Sequence, residues 1–140
     1  MSKIAVVYWT GTGNTGIMAQ AVGDAAAAKG AQVEYIGPAQ FSGTDVAGYD
    51  AIAFGCPAMG AEVLEETEFE PMFLDVEGYL KGKKIGMFGS YGWGDGQWMR
   101  DWQDRAVAAG ANLVCDGVMA NNEPNEDELA QCKELGEMLC

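Results

Sequence analysis

Apolar residues gather in five short runs, at positions 4–9, 32–36, 51–56, 85–89 and 112–119, each the length of one strand. Between these runs the apolar positions take helical spacing. Met18, Ala21, Val22 and Ala25 mark a helix over 17–29 that Gly30 closes, and another spans 97–109 before Gly110. Residues 42–47 leave room for a turn or two of helix, and 63–80 reads as a helical stretch interrupted near Pro71. Asn125, with Glu128 three residues on, predicts the capped start of a last helix whose Leu129, Cys132, Leu135 and Leu139 share a face. Short apolar strands alternating with helices belong to a parallel sheet covered on both faces. The expected fold class is α/β, in a single domain over residues 1–140.

Right-handed crossovers carry the loops that leave the carboxyl ends of such strands to one edge of the sheet. Three of them, 10–15, 57–62 and 90–96, should converge there. The first reads Thr10-Gly11-Thr12-Gly13-Asn14-Thr15 between a strand and a helix, so backbone N–H groups and the positive end of a helix dipole meet at one point. Threonine and asparagine side chains add donors suited to a phosphate. No Lys or Arg stands between Lys3 and Lys29, so neutral dipoles must hold that anion.

Other readings of this loop fare less well. A nucleoside-triphosphate loop needs a lysine after its last glycine, and none is present. Gly11, Gly13 and Gly16 match the dinucleotide fingerprint, and Glu34 follows roughly 20 residues on. Gly37 and Pro38, however, occupy the strand end where the ribose-binding acid belongs, and the chain is short for two nucleotide-binding halves. A threonine-rich surface turn that binds nothing is the plain structural alternative.

Composition narrows the field. Across 140 residues the net charge is −13, with no histidine, which disfavours nucleic acid and anionic membranes as partners. No basic leader precedes an apolar stretch and no run approaches a membrane span, so a cytoplasmic protein is expected. Cys56, Cys115, Cys132 and Cys140 lack metal-ligand spacing, and no metal site is expected; Cys140 is read as exposed and oxidisable. The acidic residues from Glu62 to Glu77 read as a solvated face.

With Tyr8 to Thr15, Gly55-Cys56-Pro57-Ala58-Met59-Gly60 and Gly89-Ser90-Tyr91-Gly92-Trp93-Gly94 in this order, nearly the whole chain resembles a flavodoxin of the short-chain, clostridial type. The resemblance implies a flavodoxin-like three-layer sandwich: a five-stranded parallel sheet of order 2-1-3-4-5 with helices on both faces, and FMN bound without a covalent link. It implies that Thr10, Thr12, Asn14 and Thr15, with Gly11 and Gly13, hold the FMN phosphate. Trp93 would stack on the outer ring face, Met59 would lie on the inner face, and Glu62 would accept from the ring N3–H. Pro57, Ala58, Ser90, Tyr91, Gly92 and Gly94 would complete the cofactor contacts. Gly60 permits the positive φ of a type II′ turn, so the Gly60 to Ala61 peptide can turn its carbonyl toward the flavin N5. Ala61 stands where several relatives carry a polar residue, and Gly16 replaces a better helix former.

The function implied is that of a monomeric, low-potential one-electron carrier cycling between neutral semiquinone and anionic hydroquinone, with redox partners that dock through basic faces. The competing function is an NAD(P)H-dependent FMN quinone or flavin reductase on the same fold, against which the compact chain offers no spare segment or basic patch. A receiver domain of this topology would need an acidic cluster where Trp9 and Thr10 stand.

Overall fold

The computed structural model of the protein describes residues 2–60 and 62–140. Strands β1 (Lys3–Tyr8), β2 (Gln32–Ile36), β3 (Ala51–Gly55), β4 (Lys84–Tyr91), β5 (Asn112–Leu113) and β6 (Val118–Asn121) form one parallel sheet. Its order is β2-β1-β3-β4-β5, with β6 also paired to β4. Every residue of β3 is buried, as its unbroken apolar run requires of a central strand covered on both faces. The edge strand β2 buries no residue fully, with Gln32 and Tyr35 exposed and Val33, Glu34 and Ile36 half-buried.

Side-chain alternation divides the core in two. Ala5, Val7, Ile52, Phe54, Ile85 and Met87 face helices α2 (Phe69–Glu77) and α3 (Gln97–Ala108). Ile4, Val6, Ala51, Ala53 and Phe88 face α1 (Asn14–Ala28) and α4 (Glu126–Met138). Asn125 caps α4 as expected: its side chain accepts from Glu128 N, and the Glu128 carboxylate accepts from Asn125 N. Residues Pro38–Gln40 and Gly43–Gly48 form short 3₁₀ turns.

Two stretches depart from the expectation. The chain is not helical from 63; α2 starts only at Phe69. A single carboxylate sets that start, because Glu65 accepts the N–H groups of Thr67, Glu68 and Phe69, each at 2.8 Å. Pro71 then falls within the first turn of α2, where its missing N–H breaks no helical bond. Glu65 is therefore not part of a solvated face; it is 5% exposed.

The last sheet position is also not one strand. β5 pairs with Lys84 and Ile85, and β6 pairs with Phe88 to Tyr91, with 114–117 between them. There Gln103 Oε1 accepts the Gly117 N–H at 2.6 Å, taking a backbone donor out of the ladder.

Candidate functional site

Strand register brings the carboxyl ends together, Tyr8 beside Gly55 and Gly55 beside Phe88, so the loops that follow share one edge of the sheet. In the first loop Gly13 adopts φ 100° and α1 begins at Asn14. The Thr10 hydroxyl oxygen accepts from Gly13 N at 3.1 Å and from Gly16 N at 3.2 Å, doing from three residues before Gly13 what a capping side chain normally does. The first turn of α1 holds no acidic residue, so nothing there neutralises the positive end of its dipole.

Thr15 sits differently from its neighbours. It is 1% exposed, and its hydroxyl bonds the Ser90 hydroxyl at 3.0 Å and accepts Ser90 N–H at 3.3 Å. Its side chain thereby clamps the start of α1 to the end of β4. Its backbone N–H, in the first turn of α1, also remains available to an anion.

The second and third loops are tied to each other. Ala58 N donates to Ser90 O at 3.0 Å, and Trp98 Nε1 donates to Cys56 O at 3.2 Å from beneath. Burial, opposed in part by the Glu65 N–H bond to its sulfur, pushes the Cys56 thiol up to about 12, so it stays neutral under the loop. Met59 and Val63 exchange two backbone bonds, at 2.8 and 3.0 Å, and close a tight turn in which Gly60 has φ 50° and Glu62 has φ 58°. Ala61, expected in this turn, lies outside the described residues.

Glu62 leans onto the third loop. Its Oε1 accepts Asp95 N–H at 3.0 Å, and a Cβ built on Gly94, which has φ 88°, would stand 1.4 Å from that oxygen. Arg100 holds the far side of the same loop through the Asp95 carbonyl and carboxylate, at 3.0 Å each. Trp93 projects into solvent, 64% exposed, and Met59 is 36% exposed.

Among these loops lies a cleft of about 210 Å³. The first loop contributes Gly11, Thr12 and Asn14; the second Pro57, Ala58 and Met59; the third Ser90, Tyr91 and Gly92. Thr10, Gly13, Thr15, Gly60, Glu62, Trp93 and Gly94 are not in its wall, although each adjoins a residue that is or is bonded to one of the three loops.

Two wall residues escaped the sequence reading. Trp9 lines the cleft and anchors its indole N–H on Glu68 Oε1 at 3.1 Å. Asn122, beyond β6, has φ 62° and donates its backbone N–H to Tyr91 O at 2.7 Å. The Asn-Asn pair after an apolar run is a turn signal that could have drawn attention to it. Glu34, the dinucleotide candidate, is instead engaged by the Tyr49 hydroxyl and Lys3.

Among the described residues, no charged side chain lines the cleft. Amide and hydroxyl donors at a helix start, continuous with a slot of Pro57, Ala58, Met59 and Tyr91, fit a molecule with an anionic end and a flat apolar body. The residues present thus fit FMN.

The family model described as flavodoxin matches residues 6–136. The chain is 47% identical to a flavodoxin of Megasphaera elsdenii and 41% identical to one of Clostridium beijerinckii, over 96% of each chain in both cases. It also superposes on the solution structure of two-electron reduced Megasphaera elsdenii flavodoxin with a TM-score of 0.86, at 46% identity and 97% coverage of both chains.

Proposed function

The chain belongs to the flavodoxin family of FMN-carrying electron-transfer proteins, and on that premise we propose that it is a low-potential one-electron carrier, shuttling between neutral semiquinone and anionic hydroquinone. The observation that carries this reading is the union of an uncharged anion cradle and an apolar slot in one cleft. FMN supplies the one-electron chemistry; this chain decides which state is favoured by what it sets around the ring.

Thr10, Thr12, Asn14 and the amides at the start of α1 would hold the phosphate. Trp93 and Met59 would pack on the two faces of the ring. Glu62 keeps Oε1 on Asp95 N–H, and its other oxygen would accept from the ring N3–H, so that one carboxylate would join the third loop to the cofactor. With FMN bound, the Gly60 carbonyl would be placed to accept a hydrogen bond from a protonated ring N5, a bond of about 0.5–1.5 kcal/mol.

Charge acts on the second electron. Glu62, Asp95 and the acidic segment 65–77 oppose further negative charge, and each 59 mV of one-electron potential corresponds to about 1.4 kcal/mol, so a few modest repulsions make the couple strongly reducing. The net charge of −13 steers basic faces of redox partner proteins toward the exposed ring edge of a monomer in the cytoplasm. FMN titrated into cofactor-free protein tests the reading at its base. Quenching of flavin fluorescence at one FMN per chain is expected, and free flavin throughout would overturn it.

A further inference from the structure

A second cleft, of about 340 Å³, opens outside the carboxyl ends of β1 and β2, with Trp9 as a wall common to it and the first. Its other walls include Tyr8, Tyr35 and Pro38, and among the described residues Glu68 contributes the one charged side chain. Two of the aromatic groups are held in place. The Trp9 indole N–H is anchored on Glu68 Oε1 at 3.1 Å. The Tyr35 ring lies over Gly23, where a Cβ would stand 2.1 Å from the phenol oxygen, and its hydroxyl bonds Asp24 at 3.4 Å and Gln20 at 3.3 Å. Tyr35 nevertheless remains 41% exposed.

We infer that this cleft receives the guanidinium group of an arginine presented by a partner protein. A guanidinium is planar and weakly hydrated, so its faces stack on indole and phenol rings while its edge donates to a carboxylate. The indole engages Oε1 of Glu68, and the second carboxylate oxygen is the acceptor for that edge. A phosphate or carboxylate ligand would meet Glu68 with like charge, and a neutral aromatic ligand would strip water from Glu68 without replacing it. Among the described residues no Lys or Arg lines the cleft, and a net charge of −13 attracts a cationic side chain to it. The site rests on the electron-carrier reading only for the source of the arginine, a docked partner protein. It lies beside the FMN loop through Thr10, which lines this second cleft, and is separate from the ring edge.

The test titrates N-acetyl-arginine amide into the FMN-loaded full chain, with cofactor uptake first established by visible absorbance so that failure at either step is seen separately. Its neutral isostere, N-acetyl-citrulline amide, is run in parallel, and amide and indole N–H signals are followed by NMR. A saturable shift of the Trp9 indole and Gly37 amide with the arginine compound alone is expected. Glu68→Gln, which keeps an acceptor for the indole but removes the charge, and Tyr35→Leu should each weaken that response about threefold or more. An equal response to citrulline, shifts that never saturate, a response centred on Trp93, or variants indistinguishable from the parent would each overturn the inference.

Discussion

Glu62 and Asp95 are joined across two loops: Glu62 Oε1 accepts the Asp95 N–H at 3.0 Å, passing over Gly94 where a side chain would stand. The carboxylate proposed to meet the ring edge is therefore placed by the 90s loop as well as by its own turn. Gly94 is doubly constrained, by φ 88° and by the space Glu62 takes.

Gly94→Ala should expel the Glu62 carboxylate and strain the loop. With about 1–2 kcal/mol lost from the left-handed conformation alone, FMN affinity should fall roughly tenfold. Fluorescence titration of FMN reads this directly, and an unchanged dissociation constant would show that Glu62 is placed without the third loop.

Thr10→Val keeps the shape of the side chain but removes the oxygen that Gly13 N and Gly16 N share. Loss of such a cap should lower the stability of the cofactor-free protein by about 1 kcal/mol. Urea unfolding followed by circular dichroism checks it, and phosphate-dependent FMN affinity should fall in the same variant.

Glu65 has a pH signature. Burial works against its charge, but the Thr67 hydroxyl and the N–H groups of Phe69, Glu68 and Thr67 outweigh it and hold the carboxyl below the usual range. A folded value below the unfolded one of about 4.3 means the stabilisation is complete above that pH and fades as pH falls through the folded value. Glu65→Gln should therefore cost about 1.5–3 kcal/mol at neutral pH, with the gap to the parent closing in acid. A pH-independent gap in denaturant unfolding would contradict this account.

A Cβ on Gly60 meets no atom within 4 Å among the described residues beyond its chain neighbours, so the penalty of Gly60→Ala comes from φ 50° and the freedom of the peptide that follows. FMN binding should persist while the yield of one-electron-reduced flavin drops. An undiminished yield in a redox titration would remove Gly60 from the mechanism.

The first loop and the alternation of strands and helices were legible because they depend on local signals, whereas the sheet order was implied by the family resemblance. The apolar run ending at Tyr8, the glycines at 11 and 13 and the helical spacing after them sit within one stretch of chain. The capping box of Asn125 and Glu128 is equally local. What escaped depends on distant partners. The start of α2 is set by Glu65 folding back on three amides, which in an acid-rich stretch looks like one more solvated carboxylate. Thr15 looks like its neighbouring donors until Ser90, 75 positions away, takes its hydroxyl. The break between β5 and β6 follows from Gln103 reaching Gly117, and Asn122 enters the cleft only because β6 pairs with β4.

The central claim, that this chain stabilises a one-electron state of bound FMN, is tested most directly by visible spectra during stepwise anaerobic reduction with dithionite. The account predicts that a broad long-wavelength absorbance of blue, neutral, one-electron-reduced flavin rises with the first electron and bleaches with the second. Direct bleaching in a single two-electron step would contradict it.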